Sequence, residues 1–429
     1  MSRPALLFIA QRRCRTRFRE TTYSGIRIFG LITNEFTAAM RLMHLLKAAI
    51  TTTAIMSIAT GCESAPEVTR FGFVTRLGND TLAVESFRQT ANGTEADVVL
   101  RTPQTSIRHY VLETDDQGGL TRFEAEERLP GGDVWRREVV MPRGDSLEVT
   151  VTEDGQSETN VVSGGRDALP FIDMVHWPFE QMLMRARAAD ADSVTQELFT
   201  TRGSMGFAVE KISEDSMTVT HPFRGTMMVD VDAEGRLIHL DASRTTRKLT
   251  VDRVAGIDVA SVARRFAAQD SAGRTFGPLS GRGEAMAEID DASIRVDYGQ
   301  PSKRGRVIWG ELIPWGELWR TGANRATHFE TDRALNLSGL NVPPGTYTLY
   351  SIPEEDGGTL IVNRQTDQGG TTYNHDMDLG RVMMQRSSLP ETVEDFTISI
   401  EDTDSGGVLS LDWDRSRFYV SFTVDNQVR

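Results

Sequence analysis

The chain has little cysteine, little lysine and no long apolar run. Two cysteines occur in 429 residues, which excludes a fold held together by several disulfides. No segment reaches the roughly 20 apolar residues that a helix needs to cross a bilayer, which excludes a polytopic membrane protein. Only four cationic side chains are lysines. The remaining composition, 39% hydrophobic and 25% charged, is typical of a globular protein with two or three cores.

The positive charge is concentrated near the N-terminus. Residues 1–47 contain nine arginines or lysines and two acids, whereas the whole chain carries a net charge of −14. The rest of the chain is therefore strongly acidic. Because an acidic body repels phosphate backbones, we expect no nucleic-acid partner.

The segment from Met40 to Cys62 has the pattern of an export signal. A short positive region precedes a modestly apolar stretch and small residues before the cysteine. The ending I-A-T-G-C (residues 58–62) resembles a bacterial lipoprotein signal, and this resemblance implies lipidation of Cys62. The alternative is a plain secretory peptide with a chance cysteine. Residues 1–39 are either an unused upstream start or an extended positive region.

The lipoprotein resemblance also predicts a location. Two acyl chains are enough for stable anchoring to a membrane. No aspartate follows Cys62 at the second position, which by the same resemblance favours the outer membrane. We therefore expect a leader and signal peptide over residues 1–61, a tether over 62–67, and a mature protein anchored at the periplasmic face of the outer membrane of a bacterial cell envelope.

Residues 68–269 are predicted to form an antiparallel β-rich domain. Short alternating strands recur with turn signals every 8–12 residues, and two apolar stripes predict helices near Pro178–Ala189 and Val259–Gln269. The pattern D-x-x-G-x-L-x-x-F-E-A at Asp115 returns as D-x-x-G-x-L-x-x-L-D-A at Asp232. This favours a large curved antiparallel sheet with one or two covering helices. The architecture resembles the half-barrel of periplasmic lipoprotein carriers, which implies a possible apolar ligand.

Residues 270–284 are rich in glycine, serine, proline and arginine and predict a linker. Residues 285–429 carry four of the six tryptophans and a second set of alternating strands, and Val408–Trp413 and Phe418–Val424 are expected to form a hairpin. The segments 296–324, ending in W-R-T-G-A-N, and 342–353 closely resemble the signature of the DUF2911 domain family. That resemblance implies an all-β, sandwich-like module of the kind found in secreted or envelope proteins. The predicted fold class is mainly β throughout.

The W-R-T-G-A-N segment has more polarity than a connector needs. Its tryptophan offers a flat ring, its arginine a fork for carboxylate, phosphate or sulfate, and its asparagine both a donor and an acceptor. The alternative is structural: the tryptophan packs in the core, the arginine pairs with an internal acid, and the asparagine bonds to backbone. The candidate ligand-binding residues are Trp319, Arg320, Thr321, Asn324, Lys303, Arg306, Tyr373 and Asp376.

No pattern predicts a catalytic residue, a metal ion or a cofactor. Gly144–Leu147 spells G-D-S-L and Asp173 precedes His176 by three residues, as in a hydrolase family. However, Ser146 begins an alternating strand rather than following a strand and opening a helix, which argues against that chemistry. We expect a non-catalytic module that binds a ligand or a partner. The alternative is a hydrolase of envelope carbohydrate or ester that uses Arg320, Asn324, Tyr373 and Asp376.

Overall fold

A computed structural model describes residues 70–366 and 368–425. It is mainly β, with two large sheets that are antiparallel in most pairings and two α-helices, which confirms the predicted fold class. Its described residues belong to one compact unit. The predicted leader, the tether and Cys62 lie outside the described residues. Neither described helix is long and apolar enough to span a membrane.

The first sheet has fifteen strands, and two α-helices accompany it. The strands are β1 (Phe71–Leu77), β2 (Asp80–Thr90), β3 (Gly93–Leu100), β4 (Ser106–Thr114), β5 (Leu120–Arg128), β6 (Val134–Arg143), β7 (Ser146–Glu153), β8 (Gln156–Ser163), β9 (Leu169–Pro170), β10 (Ser193–Thr200), β11 (Gly203–Lys211), β12 (Ser216–His221), β13 (Gly225–Val231), β14 (Leu237–Asp241) and β15 (Thr250–Ala255). The helices are α1 (Trp177–Ala188) and α2 (Val259–Ser271), which confirms both helix predictions.

Nearly every strand of this sheet pairs with its neighbour in the chain. The order runs from β8 down to β1, then to β15, and from there down to β9. The pairing of β1 with β15, from Phe71 opposite Ala255 onward, joins the two runs. The sheet curves so far that Ser163 Oγ on β8 accepts a hydrogen bond from Ser204 N on β11, at 3.3 Å. The expected large curved antiparallel sheet is therefore present.

The two helices cover opposite faces of the sheet. Successive side chains of a strand point to opposite faces, and on β1 Phe73 packs in the main core with α1, whereas Val74 packs against α2. Helix α1 contributes large apolar side chains to the main core, among them Trp177 and Phe179. Asp258 caps the start of α2 by accepting from Ser261 N at 3.0 Å.

A buried carboxylate satisfies the N-terminus of α1. Glu85 on β2 has no exposed surface, and its oxygens accept hydrogen bonds from the backbone N–H groups of His176, at 2.8 and 3.0 Å, and Trp177, at 2.9 Å. The first N–H groups of a helix lack intrahelical partners and carry partial positive charge. Glu85 therefore fixes where α1 enters the core.

The repeated D-x-x-G pattern forms the same turn twice. Asp115 Oδ1 accepts a hydrogen bond from Gly119 N at 2.8 Å, and Asp232 Oδ1 accepts one from Arg236 N at 2.8 Å. Gly118 and Gly235 take φ values of 79° and 81°, which few residues other than glycine adopt easily. The two matching segments are therefore equivalent hairpins of one sheet, β4–β5 and β13–β14.

The second sheet has nine strands in the order β16-β17-β18-β21-β22-β23-β24-β19-β20. They are β16 (Ser280–Ile289), β17 (Ala292–Pro301), β18 (Thr327–Thr331), β19 (Leu335–Leu337), β20 (Leu340–Val342), β21 (Gly345–Glu354), β22 (Gly357–Asn363), β23 (Asp378–Thr403) and β24 (Gly406–Val424), with a 3-10 turn at His375–Met377. The sheet folds over itself as a sandwich, since the hydroxyl of Tyr298 on β17 accepts from Ile398 N on β23 at 3.0 Å.

One predicted hairpin is wrong. Val408–Trp413 and Phe418–Val424 were expected to be neighbouring antiparallel strands, but both belong to the single strand β24. Asp414 has a φ of 55°, and the register to β23 shifts there. A left-handed residue at this position produces a bulge that bends the strand rather than a turn that reverses it.

Arg304 joins the two β regions. Its Nη1 lies 2.8 Å from an oxygen of Asp80, its carbonyl accepts from Asn79 N at 2.9 Å, and its guanidinium lies 4.0 Å from the centre of the Phe276 ring. The predicted linker 270–284 comprises the end of α2, a connection over 272–279, and the start of β16.

Candidate functional site

A cleft of about 800 Å³ lies between loops of the first sheet and loops of the second. The first sheet contributes Arg224, after β12, and the β14–β15 connection at residues 243–248. The second contributes the connection between β17 and β18 and residues 370–373. Clefts of this volume are typical of small-molecule sites.

The cleft is cationic although the chain is acidic. Two acids, Glu311 and Glu317, line it, against six cations: Arg224, Arg244, Arg247, Lys248, Arg306 and Arg320. A concave surface with one dominant sign of charge concentrates ions of the opposite sign. The electrostatics of the cleft therefore favour an anion.

Two of these cations already have a carboxylate partner. Arg224 Nη1 lies 2.6 Å from an oxygen of Asp173, and Arg247 pairs with the same carboxylate. Burial alone would raise the pKa of Asp173, but hydrogen bonds and charge from the two arginines lower it below its ordinary value. These groups form a closed network at one end of the cleft.

The other four cations of the lining have no acidic partner within 4.0 Å in the described part of the chain. Arg244 is exposed, and we call the three partly buried ones, Lys248, Arg306 and Arg320, the cation cluster. Arg306 donates to the carbonyls of Lys303, at 2.9 Å, and Ser302, at 2.5 Å. Arg320 Nε makes a long bond of 3.4 Å to the Gly322 carbonyl. The charges of the two arginines are therefore bound by backbone carbonyls rather than paired with a carboxylate.

The pKa directions agree with this geometry. Burial, followed by the charge of Arg304, lowers the pKa of Arg306 to about 10, and burial lowers the pKa of Arg320. Burial also lowers the pKa of Lys248, with repulsion from Arg320 and Arg306 adding to it and Glu317 opposing it. The pKa of Lys248 therefore responds to both arginines, and an anion beside Lys248 would relieve that repulsion.

The backbone at the cleft is strained. Lys248, Thr321 and Asn324 have φ values of 56°, 51° and 60°, in the left-handed region that a β-branched threonine rarely adopts. Thr321 is held there because its hydroxyl donates to Ser351 Oγ at 2.9 Å and its carbonyl accepts from Thr327 Oγ1 at 2.8 Å. Strain maintained by surrounding structure concentrates at functional sites.

Five of the eight predicted ligand-binding residues line the cleft: Trp319, Arg320, Asn324, Arg306 and Tyr373. Thr321 is fully buried behind it. Lys303 lies outside the lining and supports Arg306, because its Nζ donates to the Arg306 carbonyl at 2.6 Å and lies 3.1 Å from Asp414. Asp376 also lies outside the lining, with a side chain that is 96% exposed.

The two aromatic candidates are largely occupied by protein contacts. Trp319 is only 8% exposed, and its ring stacks on Trp413 with 6.0 Å between ring centres. Tyr373 donates to an oxygen of Asp378 at 2.8 Å and packs edge-on against Tyr350. Trp319 therefore forms a wall of the cleft rather than an open stacking platform.

Sequence reasoning missed the contribution of the first sheet. Arg244, Arg247 and Lys248 all lie in the connection S-R-T-T-R-K, residues 243–248. A signal was available, since this segment is a basic run in an acidic chain and holds one of only four lysines. What the sequence could not show is that it faces Arg306 and Arg320, which lie more than fifty residues further along.

The rejected hydrolase pattern is not assembled. Ser146 begins β7 on the first sheet, Asp173 is bound by two arginines, and His176 Nδ1 lies 3.1 Å from Thr75 Oγ1 and 3.5 Å from Glu85. Within residues 70–366 and 368–425, no group of three histidines, cysteines or acids is placed to hold a metal ion.

The concave face of the first sheet is filled by side chains. Beside α1, the apolar space is about 30 Å³, with Phe171, Phe179 and Leu249 in its walls. A further polar cavity of about 180 Å³ lies against β4–β6. The cleft between the two β regions is therefore the larger space by a wide margin.

The comparison with family models reaches the second β region. Residues 280–422 match the model of a family described as "Protein of unknown function (DUF2911)", in agreement with the signature in the sequence. The search of curated proteins returned no match. A solved structure of a DUF1089 family protein from Pseudomonas aeruginosa is 16% identical, with a TM-score of 0.28, over 38% of this chain and 90% of that one.

Proposed function

We propose that this protein is a non-catalytic module that binds a small anionic ligand in the cleft between its two β regions. The observation that carries the proposal is the cation cluster: three partly buried cations, one from the β14–β15 connection and two from the β17–β18 connection, line one cleft with no acid within 4.0 Å of any of them in the described chain. A purely structural arginine of a β-sandwich corner would be expected to pair with an internal acid, and Arg320 has none within 4.0 Å in the described chain.

The chemistry of the cluster favours phosphate, sulfate or carboxylate groups. A guanidinium presents its N–H donors in a planar fork that matches two oxygens of such a group, and an ammonium adds a compact charge. Asn324, exposed at the rim in a left-handed conformation, adds an amide that can donate and accept. The cleft therefore offers charge, directional donors and sufficient volume together.

We propose binding rather than hydrolysis. The hydrolase hypothesis needs Asp376 beside Arg320, Asn324 and Tyr373, but Asp376 projects into solvent outside the lining of the cleft. A general acid or base must be within hydrogen-bond reach of the proton that it moves. The hydroxyl of Tyr373 donates to Asp378, and burial raises its pKa, so it is a weak candidate for a base.

The proposed setting is the bacterial cell envelope, with Cys62 lipidated and the ligand drawn from the periplasm. The lipoprotein-like ending at residues 58–62 supports this part of the proposal. Metabolic labelling with a clickable palmitate analogue tests it. We expect label on the wild type and none on Cys62→Ala. Equal labelling of both would contradict lipidation at this residue.

Ligand binding is tested by thermal shift and calorimetric titration with phosphate, sulfate and citrate. At a ligand concentration 100 times its Kd, binding adds about 2.7 kcal/mol to the stability of the folded state, so a clear rise in Tm is expected. Arg320→Ala removes one of the three cations and should abolish the shift. Arg282→Ala is the matched control, since Arg282 is exposed, is bound to Asp297 and is not part of the cleft lining.

Two results would overturn the binding proposal. One is the absence of a shift with every anion of the panel. The other is an equal shift in wild type and Arg320→Ala, because the anion would then bind elsewhere. A shift that is lost in Arg320→Ala and kept in Arg282→Ala supports the cleft as the site.

A further inference from the structure

The cleft also has an apolar wall. Leu279, Leu312 and Pro314 line it and are only partly buried, and Leu318 lines it with 43% of its surface exposed. Three of these residues lie in the connection between β17 and β18, which also carries Arg306 and Arg320. Polar and apolar contact surfaces therefore face one space from neighbouring positions.

The volume of the cleft exceeds what an inorganic anion needs. Since one water takes up about 30 Å³ of liquid, a phosphate of five heavy atoms occupies at most about 150 Å³. Most of the space of about 800 Å³ would remain open beside a bound phosphate. The part left over is bordered by the apolar wall, where a hydrocarbon group would displace water from leucine side chains.

The first sheet cannot take up such a group in its own concave face. Helix α1 fills that face with Phe179, Met182 and Leu183, and the apolar space beside it is about 30 Å³. A chain of several methylene groups does not fit there without displacing the helix. Among the described residues, the cleft offers apolar surface that is open to solvent and has room for a short hydrocarbon chain.

We propose that the ligand is an amphipathic anion, with a phosphate-like or carboxylate head on the cation cluster and an aliphatic chain against the apolar wall. This inference rests on the proposed function and adds the ligand class. The head and chain could belong to a free monoalkyl anion or to a lipid held in a bilayer, since both present the same chemistry.

The test is a titration of the full-length protein with methyl, butyl and hexyl phosphate below their micelle concentrations. A fully buried methylene contributes about 0.8 kcal/mol, a factor of about four in affinity, so partial burial of five of them predicts a rise of at least about tenfold from methyl to hexyl phosphate. In Leu318→Ser this ratio should fall towards one. Met383→Ser is the matched control, because Met383 is 68% exposed on β23, outside the cleft.

Each outcome decides a different point. If methyl phosphate binds and the chain length has no effect, the amphipathic ligand is wrong and the anion site stands. If no phosphate binds, the proposed function itself fails. If the ratio is unchanged in Leu318→Ser, or falls equally in Met383→Ser, the chain does not contact the apolar wall and the inference is overturned. Pelleting of Cys62→Ala protein with phosphatidylglycerol vesicles, with and without Leu318→Ser, assigns the source to a bilayer lipid or to a free anion, because this background has no acyl anchor of its own.

Discussion

Replacing Lys248 with glutamine should make the protein more stable while weakening anion binding. The amine of Lys248 is partly buried, and its pKa is lowered first by that burial and then by the charges of Arg320 and Arg306. A like-charge neighbour costs a few tenths of a kcal/mol at a partly exposed position. With two such neighbours and some desolvation, neutralisation should stabilise the fold by about 1 kcal/mol in the absence of ligand. Binding sites often cost stability in this way.

The assay is urea unfolding of wild type and Lys248→Gln, with and without phosphate. We expect the variant to have the higher midpoint in ligand-free buffer and the smaller gain when phosphate is added. Lys211→Gln is the matched control. Lys211 donates to the carbonyl of Ala189 at the end of α1, at 2.7 Å, so its loss should lower stability slightly and leave the phosphate effect unchanged. A variant at Lys248 that is less stable and keeps the full phosphate gain would refute the reasoning.

Two further predictions concern the first sheet. Glu85→Gln replaces a buried carboxylate, which accepts three hydrogen bonds from backbone N–H groups at the start of α1, with an amide whose NH2 group cannot accept them. We expect the free energy of unfolding, measured by denaturant titration, to fall by about 2–4 kcal/mol. An unchanged midpoint would contradict the capping role. Burial, followed by the charge of Arg224, lowers the pKa of His221 to about 4. The unfolded chain therefore binds this proton at a higher pH than the folded protein, and the free energy of unfolding should fall by about 3 kcal/mol as the pH drops from 6.5 to 4. His221→Phe should make the free energy of unfolding less dependent on pH, and the same dependence in both proteins would exclude His221 as the cause.

Much of the fold could be predicted because its signals are local. Alternating side chains and D-x-x-G turns specify hairpins from residues that are close in sequence, and the stripe around Phe179 and Met182 specifies a helix. The prediction of a turn at Asp414–Arg417 was wrong because a bulge and a turn use the same residue types. A bulge and a turn can be distinguished only from the partner strand, β23, which stays paired with β24 on both sides of Asp414.

Only the part of the candidate site that the second sheet contributes could be predicted from the sequence. The W-R-T-G-A-N segment identified Arg320 and Asn324 because their polarity exceeds what a connector needs. Lys248 was missed because its role depends on tertiary placement, not on its neighbours in sequence. The role of Trp319 could not be predicted either, since the sequence does not distinguish a tryptophan that contacts a ligand from one that stacks on another tryptophan, as Trp319 does on Trp413.

The order of strands in the first sheet also has a kinetic consequence. Almost every pairing joins consecutive strands, so most of the sheet can form from hairpins that are local in sequence, at a modest loss of chain entropy. The exception is the ladder between Phe71–Leu77 and Thr250–Ala255, whose two strands are separated in the chain by all the other strands of the sheet. Closure of that ladder should therefore be the slow step of folding. Because β1 and the β14–β15 connection both border the cleft, ligand binding should become possible only once that step is complete.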